Sequence, residues 1–200
     1  SEFHFQQALA RLEQVGDHGR ASHTLNSLGV GLHLQGKYDE ALQAYAQAQD
    51  KAQQAGMLRT ITTILIGKGD VYRDLGRYAE AAGAYDEARQ LVEQAEAPIQ
   101  VLYLLIAQGS LYRLRNDMLR AAALLRRAYE EARERNAEYE KAQASLQLGI
   151  LHYEQGNLLT ARGYLSEART IFRSIGTRHE LARVYLHLAR LSNLEGQQAA

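Results

Sequence analysis

Seven histidines, His4, His18, His23, His33, His152, His179 and His187, are the side chains of this sequence best suited to hold a metal or move a proton. A helical metal site needs two of them three or four residues apart, on one face. None is so spaced: His179-Glu180 opens like a metalloprotease motif, but no second histidine follows four residues later. There is no cysteine, so a thiolate site and a disulfide framework are both excluded. Gly29-Val30-Gly31 and Gly67-Lys68-Gly69 do not follow a strand, as a phosphate-cradling glycine loop must. The carboxylate pairs Asp39-Glu40, Asp86-Glu87 and Glu130-Glu131 could serve as acid and base, but their spacing places them on the outer face of helices, where they are read as solvated surface. No catalytic residue, metal or cofactor is expected, and a binding role is.

The elements that would carry such a role are helical. Hydrophobic residues make up 46% of the 200 residues and Pro98 is the single proline, so little obstructs long helices. No apolar run reaches the roughly 18 to 20 residues that span a bilayer, and Ser1-Glu2-Phe3-His4 lacks the plan of a signal peptide. A soluble, cytoplasmic chain without membrane contact is expected. Basic and acidic residues balance at 23 each, which gives no footprint for nucleic acid. The balance hides a gradient, with 9 basic and 13 acidic residues in 1–100 and 14 and 10 in 101–200. The arginine-rich stretch Arg113 to Arg135 is interleaved with glutamates at four-residue steps, Arg126 with Glu130, Arg127 with Glu131 and Glu131 with Arg135. That pattern describes a surface helix laced with weak ion pairs and not a nucleic-acid patch.

A period of 40 organises the chain. Gly29, Gly69, Gly109 and Gly149 form one series, continued by Ala189; Gly36, Gly76, Asn116, Gly156 and Gly196 form a second; Gly16, Gly56, Glu96, Asn136 and Gly176 form a third. Apolar columns keep the register: Ala41, Ala81, Ala121, Ala161; Tyr45, Tyr85, Leu125, Leu165; Ala48, Ala88, Ala128, Ala168, with Phe5 and Ala8 one period earlier. Leu25, Leu28 and Leu32, then Ala41, Tyr45, Ala48 and Ala52, have helical spacing, so each repeat holds a helix A near 20–35 and a helix B near 38–55. The second and third series fall where a chain must take φ > 0 to end a helix. The first lies inside helix A, where glycine costs about 1 kcal/mol against alanine. Close approach of a neighbouring helix, matched by the Ala41 and Ala48 columns, is the expected reason. The chain then divides into a lone helix B (1–19), four repeats (22–61, 62–101, 102–141, 142–181) and a helix A (182–200), with Gly196 opening a further turn. Both ends cut a repeat, so an excised segment of a longer protein is expected, and whatever part of Leu181, Val184, Tyr185, Leu188 and Leu191 does not pack on the preceding repeat is left for a homodimer contact or for cover by residues beyond Ala200.

Leu28-Gly29, Leu32, Gly36, Tyr38, Ala41, Tyr45 and Ala48, repeated as Gly69, Tyr72, Gly76, Tyr78, Ala81, Tyr85 and Ala88, resemble the tetratricopeptide signature. Leucines 25, 65 and 105 replace its tryptophan, its proline after helix B is absent, and the 40-residue period is similar to that of kinesin light chains, bacterial peptide-pheromone receptors and large bacterial transcription regulators. The resemblance implies an all-α, right-handed superhelical solenoid of antiparallel helix pairs that binds a protein or peptide segment in a concave groove. Self-association, or sensing of a small molecule as in the regulators, is the alternative. Counted from Ser22 as position 1, helix A positions 2, 5, 6, 9, 12 and 13 would line the groove. They supply His23, Asn26, His33, Asp70, Arg73, Tyr103, Arg113, Gln147, Tyr153, Arg183, His187 and Arg190, together with apolar Ile66, Ile106, Leu146 and Leu186 at position 5. This mixture of Arg, Tyr, His and Asn with apolar residues has the composition of a binding surface, although Asp70 and Arg73, three apart, could instead be an internal ion pair. Asn26, Arg73 and Arg113 are the residues expected to meet an acidic or carboxy-terminal ligand, whose apolar side chain would reach Ile66 or Ile106. The lysine-rich clamp of chaperone-tail-binding relatives is missing.

Overall fold

In the computed structural model, residues 2–198 are described, apart from the side chains at 2–4, 6, 8, 13 and 195–198. Ser1, Ala199 and Ala200, and the side chains of His4 and Ala8 among those singled out above, lie outside the described residues. The rest is all-helical: α1 (Glu2–Gln14), α2 (His18–Leu34), α3 (Tyr38–Gln54), α4 (Leu58–Asp74), α5 (Tyr78–Gln94), α6 (Pro98–Leu114), α7 (Met118–Glu134), α8 (Glu138–Glu154), α9 (Leu158–Ile175) and α10 (Arg178–Gln198). Helices of 17 residues, about 25 Å long, recur with starts displaced by 40, as the glycine series demanded. Even-numbered helices are the A members of the repeats and odd-numbered ones the B members. Pro98 opens α6, where its missing N–H costs nothing. The expected turn at Gly196 does not form, because α10 continues to Gln198.

Every other residue of the two helix-ending series has φ > 0, from Glu96 at 44° to Gly176 at 84°. The hydrogen bonds explain why. The Lys37 N–H bonds Leu32 C=O at 3.0 Å and the Gly36 N–H bonds His33 C=O at 2.9 Å, closing the helix end with a left-handed residue at Gly36. Arg77 to Tyr72, Asp117 to Tyr112 and Asn157 to His152 repeat the first of these bonds. Glu96 holds this conformation without the freedom of glycine, a strain of about 1–2 kcal/mol. Glu96→Gly should therefore stabilise the protein by about 0.5–1 kcal/mol, the remainder being lost to the greater freedom of glycine in the unfolded chain. A thermal midpoint no higher than that of the parent would show that the turn is not strained.

The chain forms two compact units, residues 1–107 and 108–200, the division falling within α6. In the first, Tyr45, Ile64, Leu65, Tyr85 and Leu102 are fully buried; in the second, Leu125, Leu146, Leu148, Leu151, Leu165, Phe172 and Leu191 are. The helix-interior glycines are explained differently from the expectation. A Cβ on Gly29 would lie 2.8 Å from the Tyr45 ring, and one on Gly109 or Gly149 would lie 2.7 Å from Leu125 or Leu165 Cγ. The side chain that fills each gap is therefore the large residue of helix B, and not the Ala41 or Ala48 column. Those alanines are themselves fully buried. On the surface, Arg127 and Arg135 pair with Glu131 as their spacing suggested, while Glu130 pairs with Arg133 instead of Arg126.

Candidate functional site on the helix A face

In the first unit the predicted face contains a continuous polar chain. Arg73 near the end of α4 directs Nη1 to Asp70 Oδ1 at 2.6 Å, and its Nε and Nη2 to Asp74 Oδ1 at 3.0 and 2.9 Å. The Tyr85 hydroxyl on α5 donates to Asp70 Oδ1 at 2.7 Å, and His33 Nε2 on α2 meets Asp74 Oδ2 at 2.9 Å. Burial alone would lower the Arg73 pKa, but Asp70, Tyr85 and Asp74 reverse this and raise it. Burial pushes the Asp74 carboxyl upward, yet the bonds from His33 and Arg73 hold it below its ordinary value. Burial, then the charge of Asp70, raises the Tyr85 phenol.

This geometry corrects one expectation. Arg73 is not a free fork awaiting a ligand carboxylate, because Nε, Nη1 and Nη2 each already meet an aspartate of its own helix. Arg113 is engaged in part, with Nη1 on Glu154 Oε1 at 2.6 Å. Ile66 and Ile106 are buried, as is Leu146, so they cannot meet a ligand side chain; of that column only Leu186 stands half exposed.

The other predicted residues keep access to solvent in varying degree. His23 and Arg190 are exposed, whereas Asn26, Tyr103, Tyr153, Arg183 and His187 are half-buried. Gln147 is nearly enclosed, with 6% exposure. Tyr153 packs against the Leu146, Ile150 and Leu165 cluster of the second unit. Burial, then Arg190, Arg183 and Arg113, pushes the His187 imidazole down to about 4. Within the second unit α6, α8 and α10 thus turn Arg113, Gln147, Arg183, His187 and Arg190 to related columns.

Tyr85, Asp74 and Glu154 were missed by sequence reasoning. Tyr85 did carry a signal: its column is Tyr in the first two repeats and Leu in the next two. A phenol replacing leucine in a core column needs a hydrogen-bond partner, and Asp70 of the same repeat supplies it. Asp74 and Glu154 both occupy position 13, one of the expected groove columns, but were not among the residues picked out there.

The fold defines an all-helical repeat protein whose A helices carry polar and aromatic side chains in each unit. Tetratricopeptide-repeat profiles match residues 2–54 and, in a second case, 63–98 and 106–174. The chain belongs to the tetratricopeptide-repeat family, whose members are in general non-catalytic protein-interaction scaffolds. No curated protein matches it in sequence. Among solved structures it is similar to BtubC (BKLC) from P. vanneervenii, at 17% identity and a TM-score of 0.72, over 96% of this chain and 82% of that one. It also resembles aspartyl phosphate phosphatase F from Bacillus subtilis, at 16% identity and a TM-score of 0.75, over 98% of this chain and 52% of that one. A Rap protein complexed with competence and sporulation factor is similar at 18% identity and a TM-score of 0.64, over 97% and 58%. At these identities the likeness is one of fold, and the chain spans only about half the length of the last two. Among the described residues no helix is long and apolar enough to cross a membrane.

Proposed function

We propose that the A-helix face binds an extended protein or peptide segment, acidic or ending in a carboxylate. The supporting observation is the character of the A helices within each unit: exposed His23 with half-buried Asn26 and Tyr103 in the first, and half-buried Tyr153, Arg183 and His187 with exposed Arg190 in the second. Flat aromatic rings and amide or guanidinium groups give contact area and hydrogen bonds at small entropic cost. Helix B surfaces carry short-range ion pairs such as Arg89 with Asp86 and Arg133 with Glu130. The fold likeness to a Rap protein complexed with a factor is in keeping with this reading.

The test is a partner captured from cell extract by the whole chain. Replacing His23 and Asn26, or Arg183 and Arg190, by alanine should weaken that partner roughly tenfold or more. Replacing Leu119 and Leu159 of the B helices, exposed at 86% and 85%, by serine should leave binding unchanged. The opposite pattern would move the interaction to the B helices. Tyr185 and Leu186 on α10 are exposed apolar residues, which favours self-association as the rival. Val184 and Leu191 of the same helix are fully buried, so little else of the surface expected for a dimer is free. A scattering mass that doubles with concentration, and a captured partner that proves to be the chain itself, would establish the rival.

A further inference from the structure

Helices α3, α5, α7 and α9 open at the same two repeat columns, and the two units fill those columns differently. Asp39-Glu40 and Ala79-Glu80 stand at the starts of α3 and α5 in the first unit, Leu119-Arg120 and Leu159-Thr160 at the starts of α7 and α9 in the second. Acidic side chains in a first helical turn are stabilising, because they face the positive end of the helix dipole. The first turns of α3 and α5 carry them, and those of α7 and α9 carry none. Leu119 and Leu159 are moreover 86% and 85% exposed, so neither closes the core. Met118, one residue before the first of them, is the side chain that packs on the Ala121 and Leu125 cluster. A single exposed leucine is ordinary. Two at one repeat position, both where an acid would steady the helix, are not accounted for by folding.

Charge follows the same division. Together α7 and α9 carry seven arginines against four glutamates, while α3 and α5 carry seven carboxylates against two cations. The glutamates of α7 begin at Glu130, about 16 Å along the helix from Leu119. Glu167 of α9 accepts from the Tyr129 hydroxyl at 3.1 Å and from the Ser145 hydroxyl at 3.0 Å. Nearer the leucines, Arg115 and Arg126 are exposed, and the Arg120 side chain is 70% exposed beside Asp117, the N-cap of α7. Arg162 follows Leu159 by three residues, and nothing lies within 4 Å of a Cβ added at the next position, Gly163. Both helices pack on α8. Their starts thus form an edge that is apolar at two points and cationic around them. It is also convex there, since a side chain more than four-fifths exposed stands clear of its surroundings and cannot line a groove.

We propose that this edge of α7 and α9 is a peripheral contact for an anionic lipid bilayer, with Leu119 and Leu159 entering the headgroup layer and Arg115, Arg120, Arg126 and Arg162 meeting the lipid anions. Charge complementarity selects an anionic partner. The standing leucines select a fluid one, because a folded partner must bring a pocket for each of them at the spacing of the repeat. A bilayer interface yields around any protruding apolar side chain, and nearby arginines add attraction to acidic headgroups. The expectation of a chain without membrane contact rests on the lack of a spanning run, which does not bear on a surface contact. The groove residues lie on the A helices, so this contact is independent of the peptide-binding reading.

The sequence contains no tryptophan, so a single one reports its own surroundings. In the whole chain, Leu119→Trp and Leu159→Trp should each emit at shorter wavelength on vesicles of phosphatidylcholine and phosphatidylserine, about 70:30, and be quenched by brominated acyl chains. Ala79→Trp, exposed at the same column of the first unit, should do neither. Sedimentation with the same vesicles should fall about tenfold or more in the Leu119→Ser, Leu159→Ser double variant. It should also weaken when salt is raised from about 0.05 to about 0.5 M, or when phosphatidylserine is omitted. The thermal midpoint of the double variant should match that of the parent, because both side chains are already solvated. Unchanged emission at both leucine positions, or equal sedimentation of the parent and the serine variant, overturns the proposal. A shift at Ala79→Trp as large as at Leu159→Trp overturns it too, as indiscriminate adsorption. These outcomes leave the groove reading as it stands. A soluble protein captured by the parent and lost by the serine variant, with vesicles bound by neither, would count against both.

Discussion

Gly69→Ala is expected to destabilise the protein by about 1–3 kcal/mol, whereas Gly83→Ala, one helix later, is expected to stabilise it by up to about 1 kcal/mol. Both glycines lie inside helices, so helix propensity alone predicts a gain at each. The neighbours reverse the sign at Gly69. Its added methyl would overlap the Tyr85 ring, lying 2.6 Å from Cδ1 and closer still to Cε1. Tyr85 cannot withdraw, since it is fully buried and its hydroxyl is tied to Asp70. At Gly83 nothing lies within 4 Å of the added atom. Gly109→Val should behave as Gly69→Ala does, because Leu125 Cγ stands at 2.7 Å and is also fully enclosed. Chemical denaturation of the variants measures the difference directly, with Glu138→Val as an exposed control. A gain in stability at Gly69 would mean that the Tyr85 side chain can find another rotamer, and the close-packing account of the glycine series would fall.

Asp70→Ala should cost about 2–3 kcal/mol, toward the low end for breaking a buried pair because the Asp70 side chain keeps 30% exposure. The loss has two parts, both from groups left behind. Arg73, 17% exposed, loses the bond to Nη1, and the Tyr85 hydroxyl loses its acceptor inside the core. Glu80→Ala breaks a pair that is solvated at both ends and should change stability little. The same network gives a pH dependence through Asp74. Its pKa is lower folded than unfolded, so the stability it contributes is complete above the unfolded value, about 4. That contribution is lost as pH falls through the lower, folded value. Thermal midpoints from pH 7 to pH 2 should therefore fall more steeply in the parent than in Asp74→Asn. Parallel curves would show that Asp74 carries no linked proton, and an Asp70→Ala variant as stable as Glu80→Ala would show the network to be surface decoration.

What the sequence by itself determined is what local backbone physics and strict periodicity decide. The 40-residue spacing of glycine and alanine, the helical steps of Leu25, Leu28 and Leu32, and the left-handed positions at Gly36 and Asn116 depend on residues a few places apart. They could be read without knowing what packs on what. The expected groove columns were drawn from the same period and the family resemblance, and they enter the proposed function as an expectation. What only the tertiary structure decided is which of those side chains still have bonding capacity to offer. Arg113 meets Glu154 across 41 residues and His33 meets Asp74 across the same separation, one period plus one, and no helical-wheel position announces such a pair. Tyr85 fills the space above Gly69, which turned an expected helix-to-helix contact into a side chain held by Asp70. Ile66 and Ile106 looked available from their column and are buried, which the spacing alone could not show. Long polar side chains choose partners by rotamer and by the superposition of helices a whole repeat apart, so their pairings emerge only once every neighbour is in place.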